Sequence, residues 1–212
     1  TGYRRHAAAF DPADLQVNLA GRVCLVTGAN SGIGFETSLA LAARGGRVWM
    51  LCRSRERGLA AVREVRTRTG SRRVHLGVID VSATASIRRF VRSLKAPVVD
   101  VIVHNAGVLP DERTETADGH ELTLATHVLG PWLLTTLLLP RLRRSGDARV
   151  VFVSSGGMYT QTLALSDSEW RDRPYDGVIA YAQTKRMQVV LAELLAAELA
   201  DSGICVNAMH PG

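Results

Sequence analysis

Apolar runs too short to be helices recur along this chain, most of them ending in a polar or glycine-rich cluster and followed by a stretch with helical periodicity. Val23-Cys24-Leu25-Val26 leads into Thr27-Gly28-Ala29-Asn30-Ser31-Gly32-Ile33-Gly34 and then into the periodic segment from Phe35 to Ala43. Arg47 to Cys52 predicts a second strand, Arg73 to Ile79 a third ending at Asp80, and Val98 to His104 a fourth ending in Asn105-Ala106-Gly107. Val150 to Val153 closes on Ser154-Ser155-Gly156-Gly157, and Ile204 to Met209 is a further strand. Between them, Ser86 to Lys95 and Ile179 to Ala200, the latter stopped by Gly203, read as helices. Such alternation predicts an α/β fold with a mainly parallel sheet and right-handed crossovers. Open sheets of this kind bind ligands at the carboxyl ends of their strands, where every polar cluster just named lies.

The glycine-rich turn gives the first chemical indication. Its spacing, Gly28-x3-Gly32-x-Gly34, differs from the commoner Gly-x-Gly-x2-Gly fingerprint, but it likewise follows the first strand. Glycines let backbone N–H groups approach a pyrophosphate, and the start of the next helix adds a positive dipole end. An ordinary tight turn uses the same residues, so its placement gives the motif its weight. Arg53 stands just beyond the second strand, and no acid occurs between Glu36 and Glu56. An acid there would bond the adenosine ribose 2′-hydroxyl, whereas arginine accommodates a 2′-phosphate. The expected cofactor is therefore NADP, with NAD second. The plain alternative for Arg53 is membership of a basic surface.

Lysine occurs twice, against 24 arginines, and Lys185 stands four residues after Tyr181. On a helix those positions share a face, so a phenol and a compact ammonium point into the same space. The positive charge favours the ionised phenol, and the pair can then exchange a proton near neutral pH. A planar, permanently charged arginine would not replace that ammonium.

Composition excludes several classes. With 212 residues, 46% of them hydrophobic, the chain can bury one full core, and it shows no repeats, low-complexity tracts or linkers. No apolar stretch reaches the ~18 residues of a membrane span. The nearest, Val128 to Pro140, contains Gly130, Pro131, Thr135 and Thr136 and reads as a buried or interface helix. The net charge of +6 is local: Arg44 to Arg73 carries ten arginines against Glu56 and Glu64, a segment charge of +8, which leaves −2 for the rest. A nucleic-acid surface would interleave aromatics or carry a recognised module; neither appears, and a solvated basic helix is expected instead. Cys24, Cys52 and Cys205 lie in strand-like runs without metal-ligand spacing. They read as reduced, buried thiols of an intracellular protein, whose compartment stays open. The start at Thr1 and the stop at His210-Pro211-Gly212 read as cuts in a longer chain.

Taken in order, Thr27-Gly28-x3-Gly32-x-Gly34, Asp80-Val81, Asn105-Ala106-Gly107, Ser154-Ser155, Tyr181-x3-Lys185 and Pro211-Gly212 resemble the motifs of the short-chain dehydrogenase/reductase family over nearly the whole chain. The runs Asn30 to Gly34, Cys52-Arg53, Val153 to Met158, Tyr181-Ala182-Gln183 and Met209 to Gly212 are further similar to its subgroup called dehydrogenase/reductase family member 12, which is retinol-dehydrogenase-like. The resemblance implies a doubly wound, Rossmann-type single domain over residues 21–212, after an N-terminal extension of residues 1–20 and without a C-terminal substrate segment. It implies an oxidoreductase that moves hydride between NADP(H) and a carbonyl or alcohol substrate, apolar or lipid-like. Gly28, Ser31, Gly32, Ile33 and Gly34 would contact the pyrophosphate, Arg53 the 2′-phosphate, and Asp80 with Val81 the adenine. Asn105, Ala106 and Gly107 would lie near the adenine-side ribose, and Tyr181 and Lys185 would reach the nicotinamide ribose. Ser155, the second of its pair, would hold the carbonyl oxygen while Tyr181 transfers its proton. Each residue also has a structural use: glycines as turns, Asp80 as a cap, Asn105 as a turn residue, either serine as a strand end.

One position departs from the family pattern. Many members carry an asparagine in the central helix that holds a proton-relay water, and alignment on Leu129-Gly130 puts His127 there. An imidazole can hydrogen-bond such a water; a lone histidine on an apolar helix is also an ordinary satisfied core residue. The polar connection from Thr160 to Asp176, with Trp170 and Tyr175, is expected at the substrate mouth or as an ordinary loop. The helices around Val128 to Leu142 and Ile179 to Ala200 suit either a homodimer contact or burial within one chain. A nucleotide-binding protein of low activity with a regulatory role is the alternative to an enzyme.

Overall fold

A computed structural model of the chain describes residues 16–211 together with Ala9, Asp11 and Ala13. Most of the extension expected over residues 1–20, and Gly212 of the final motif, lie outside the described residues. Six strands, β1 (Val23–Thr27), β2 (Arg47–Cys52), β3 (Val74–Val78), β4 (Val101–His104), β5 (Ala148–Val153) and β6 (Ile204–Met209), form one sheet in the order β3-β2-β1-β4-β5-β6. Every pairing is parallel, with Val26 opposite Met50 on one side and Val103 on the other. This is the doubly wound order, and its reversal of direction falls between β1 and β4.

Five helices make the crossovers: α1 (Gly32–Ala43), α2 (Arg55–Thr69), α3 (Thr84–Ser93), α4 (Leu122–Arg143) and α5 (Gly177–Glu198). Successive strand residues point to opposite sides, which divides the core in two. Cys24, Val26, Val48 and Met50 pack against Ala42 of α1 and Ala61, Val62 and Val65 of α2. Leu25, Ile102, Val150 and Phe152 meet Ile87 and Phe90 of α3, Leu134, Leu138 and Leu142 of α4, and Leu195 of α5. Each such side chain taken fully from water contributes about 1.5–3 kcal/mol.

The basic helix is α2. Ser54 caps it by accepting from the Arg57 N–H at 3.3 Å, Gly70 ends it at φ 67°, and Arg55, Arg57, Arg63, Arg66 and Arg68 are all exposed. Helix α4 is longer than its apolar stretch suggested. At 22 residues it reaches membrane-spanning length and apolarity, yet Leu134, Leu138 and Leu142 are fully buried against the sheet. Burial within one chain accounts for that stripe; Trp132 on α4 and Val178 and Leu194 on α5 remain exposed. Cys24 and Cys52 are buried as expected, but Cys205 is exposed. Alternation along β6 turns Ile204 and Val206 into the core and Cys205 to the opposite face, so an apolar run alone misplaces it.

Two strand limits moved for identifiable reasons. Ala148 and Arg149 join β5 because they pair with Ile204 and Cys205, and Arg149 also with Val101. Strand β4 begins at Val101 because Val99 donates its N–H to the Arg141 carbonyl and Asp100 acts as an anchor. The Asp100 carboxylate accepts from the Val23 N–H at 2.7 Å, Ser145 Oγ at 2.7 Å and Arg22 Nη1 at 2.9 Å, tying the starts of β1 and β4 to the turn before β5. Burial by itself would raise the Asp100 pKa, but those donors outweigh it and hold the carboxyl below its ordinary value of 3.8. Its contribution is therefore present above about pH 4 and is lost as pH falls through the depressed folded-state pKa. Asp100→Asn is expected to lower unfolding stability by about 1.5–3 kcal/mol at pH 7. Urea titrations should show that deficit shrinking below about pH 4.

Candidate active site

Where β1 meets β4, the chain is sewn together by two side chains. Thr27 Oγ1 accepts from the N–H groups of Asn105 at 2.9 Å and Ala106 at 3.0 Å. The Asn105 amide donates to the carbonyls of Thr27 at 2.9 Å and Gly28 at 3.3 Å. The glycine turn is thus pressed onto the end of β4. Gly28 has φ +64°, and a Cβ there would stand 2.8 Å from Ala106 Cα. At Gly34 a Cβ would run into the Gly28 carbonyl oxygen at 2.5 Å. Only residues without side chains allow this approach. Ser31 occupies the N-cap of α1, no acid lies in its first turn, and its amides open toward the carboxyl edge of the sheet.

A crevice of about 600 Å³ runs along that edge. Gly28, Ser31, Ile33, Arg53, Asp80, Val81, Asn105, Ala106, Gly107, Ser155, Tyr181 and Lys185 all border it, whereas Gly32 and Gly34 do not. Asn30, Ser54 and Arg57 also border it, and were not singled out in the sequence. Arg57 follows Arg53 by four residues at the start of α2, a spacing that could have flagged it. Asp80 Oδ1 accepts from the Ser82 N–H at 3.0 Å and Ser82 Oγ at 2.7 Å, so its carboxylate shapes the turn after β3. The glycine cradle, the open α1 amides and the volume of the crevice fit a dinucleotide, which Gly28 to Ile33, Arg53 and Asp80 would hold.

At the other end, α5 presents Tyr181 and Lys185. Lys185 is buried; its Nζ donates to the Val153 carbonyl at 2.8 Å and to Gln188 Oε1 at 3.2 Å, and lies 5.6 Å from the Tyr181 ring centre. Burial pushes its pKa down to about 8. The two serines differ. Ser154 Oγ donates to the Lys185 carbonyl at 2.9 Å and is buried. Ser155 Oγ accepts from the Gly157 N–H at 3.2 Å, which leaves its own proton free to donate at the crevice.

His127 sits in a π-helical turn of α4, Ala125–Leu129, with no exposed surface. Its Nε2 accepts from the Val108 N–H at 3.1 Å, so Nδ1 carries the proton and donates to Thr184 Oγ1 at 2.9 Å. Burial first, and the charge of Lys185 second, hold it neutral by depressing its pKa well below 6.5. Both nitrogens being engaged, His127 packs as a core residue, edge-on to Tyr181 at 5.3 Å between ring centres. Trp170 and Tyr175 do not border the crevice. Trp170 is buried beneath the Arg173 guanidinium at 3.7 Å, and Tyr175 donates to Glu121 Oε1 at 3.1 Å, so the connection is clamped to the start of α4 instead.

Comparison with known proteins agrees with this arrangement. The family model for short chain dehydrogenase matches residues 22–212. Dehydrogenase/reductase SDR family member 12 of Bos taurus is 40% identical over 213 residues, covering 100% of this chain and 67% of its own length. Retinol dehydrogenase 13 of Mus musculus is 37% identical over 199 residues, covering 93% of this chain and 60% of its own. A solved structure of an uncharacterized protein from Mycobacterium paratuberculosis superposes with a TM-score of 0.85 at 37% identity, covering 96% of this chain and 72% of that one. This chain therefore spans about two thirds or less of the length of these curated relatives. With its six-stranded parallel sheet and its matched motifs, it belongs to the short-chain dehydrogenase family of NAD(P)-binding oxidoreductases.

Proposed function

We propose that the chain is the catalytic core of an NADP(H)-dependent oxidoreductase acting on an apolar ketone, aldehyde or alcohol. The observation that carries this reading is the convergence of Ser155, Tyr181 and Lys185 on one end of a crevice whose other end is a glycine cradle. When bound, a nicotinamide cofactor supplies or accepts hydride at the substrate carbon. The chain's own residues manage the oxygen. Ser155 Oγ–H donates to it, Tyr181 gives its phenolic proton to the developing alkoxide, and the Lys185 ammonium favours negative charge left behind. Run backward, the same groups take the proton from an alcohol.

Two arginines, Arg53 and Arg57, border the crevice beyond β2, and the acid near them, Asp80, is engaged by Ser82, which supports a 2′-phosphate. An apolar substrate is supported by Leu109, half exposed at the rim, and by Tyr159, which packs edge-on to His210 beside Pro211. The retinol dehydrogenases among its relatives point the same way. The reading of a weakly active, nucleotide-binding regulator draws on His127, whose nitrogens are both committed and so cannot carry a proton relay.

Tyr181→Phe is expected to lower NADPH-dependent carbonyl reduction by about 10²–10⁴-fold while leaving NADPH binding within about threefold. Absorbance assays on a panel of lipid-like aldehydes and ketones measure the first and fluorescence titration the second; unchanged turnover overturns the mechanism. Arg53→Ala is expected to weaken NADPH binding by about 10- to 100-fold and NADH binding hardly at all. Equal affinities of the parent for the two cofactors would refute the cofactor assignment.

A further inference from the structure

Among the described residues, Lys185 is the one lysine or arginine buried in the core. A buried ammonium needs acceptors in place of water, and an acid is the usual partner. No acid takes that part here. Facing Lys185 from α5 is Tyr181, and from α4 the neutral His127; the end of β5 offers the Val153 carbonyl and the loop after β4 only Gly107. The remaining acceptor is Gln188, itself fully buried and one turn along the same helix. Its orientation is fixed from the far end, because Gln188 Nε2 donates to the His127 carbonyl at 3.0 Å, within the π-helical turn. That bond leaves Oε1 as the atom turned toward Nζ.

We infer that Gln188 is a positioning residue: it supplies the ammonium of Lys185 with a hydrogen-bond acceptor that carries no charge, so that a whole positive charge remains beside Tyr181. The inference rests on the Tyr181–Lys185 reading above. A glutamate would make an equally good bond but would cancel the field. Whether such a pair were ionic or shared one proton, its net charge would be zero, so the field at Tyr181 is lost in either form. The ionic form, favoured by the Val153 carbonyl's bond to the ammonium, holds the lysine's proton to higher pH. A side chain without an acceptor would leave the ammonium with the Val153 carbonyl alone and favour its loss of a proton.

The scarcity of lysine makes this directly measurable. Lysine labelled with ¹³C at Cε gives two resonances, and Lys95→Arg assigns them. In the parent the buried lysine should titrate at about 8, as its burial dictates. Gln188→Met is expected to lower that midpoint by about one pH unit, and the near-isosteric Gln188→Glu to raise it by at least about one. Each variant's NADPH binding reports whether it is folded. In alcohol oxidation, Gln188→Glu should move the ascending limb of the pH–rate profile upward by about one unit with the plateau rate within about threefold of the parent. A merely structural role would lower the rate at every pH and leave the limb in place. Lysine midpoints that stay within about 0.3 unit of the parent in Gln188→Glu overturn the inference even if the enzyme is active. A parent without carbonyl or alcohol turnover overturns the proposed function, while the lysine midpoints still decide the role of Gln188.

Discussion

Hydrogen bonds across the carboxyl ends of β1 and β4 set the position of everything else in the site. Parallel strands at a topological switch point have helices leaving in opposite directions, so the backbone there opens a gap. Thr27 and Asn105 bridge it with four short polar contacts, which fixes the glycine turn against β4 and aims the start of α1 along the crevice. Because a Cβ at Gly28 or Gly34 would strike that seam, its closeness and the choice of glycine are one constraint. The motif Asn105-Ala106-Gly107 is thus as much a fastening of the cradle as a lining of it.

Charge is handled differently at the two ends of the crevice. At the end beyond β2, Arg53 and Arg57 are exposed and solvated, where a positive field attracts an anion without a desolvation cost. At the reactive end, Lys185 is buried and polar neutral groups surround it. Exclusion of water strengthens what a single charge does to a neighbouring proton. Its neighbours are committed to other partners: His127 is locked in one tautomer, and Ser154 donates to the Lys185 carbonyl. Ser155 and Tyr181 border the crevice beside them.

The sheet and the crevice lining were legible in the sequence because their signals are local. A strand followed by glycines, or a phenol four residues from a lysine, declares its geometry through backbone period alone. The order of motifs then carried the family. What the sequence hid depends on partners distant along the chain. Asp100 anchors Val23 and Ser145, Gln188 reaches back to His127, and Cys205 is exposed because β6 alternates beneath an uncovered face. The π-helical turn inserts an extra residue into α4, and neither propensity nor hydrophobic period signals it.

The connection after β5 holds the turn of α4 that precedes the π-helical one. Glu121 caps α4 by accepting from the N–H groups of Thr123 at 2.7 Å and Leu124 at 2.6 Å, while its own N–H donates to Glu169 Oε2 at 2.7 Å. Tyr175 adds a further bond to Glu121, and Trp170, held at φ 54°, lies under Arg173. The first turn of α4 is therefore fixed from outside, and Gln188 and Thr184 of α5 fix its next turn at His127 from the other side. The π-helical turn falls at the second of these points, where His127 itself is held. A polar loop that does not line the crevice is thereby tied to the helix on which His127 packs edge-on against Tyr181.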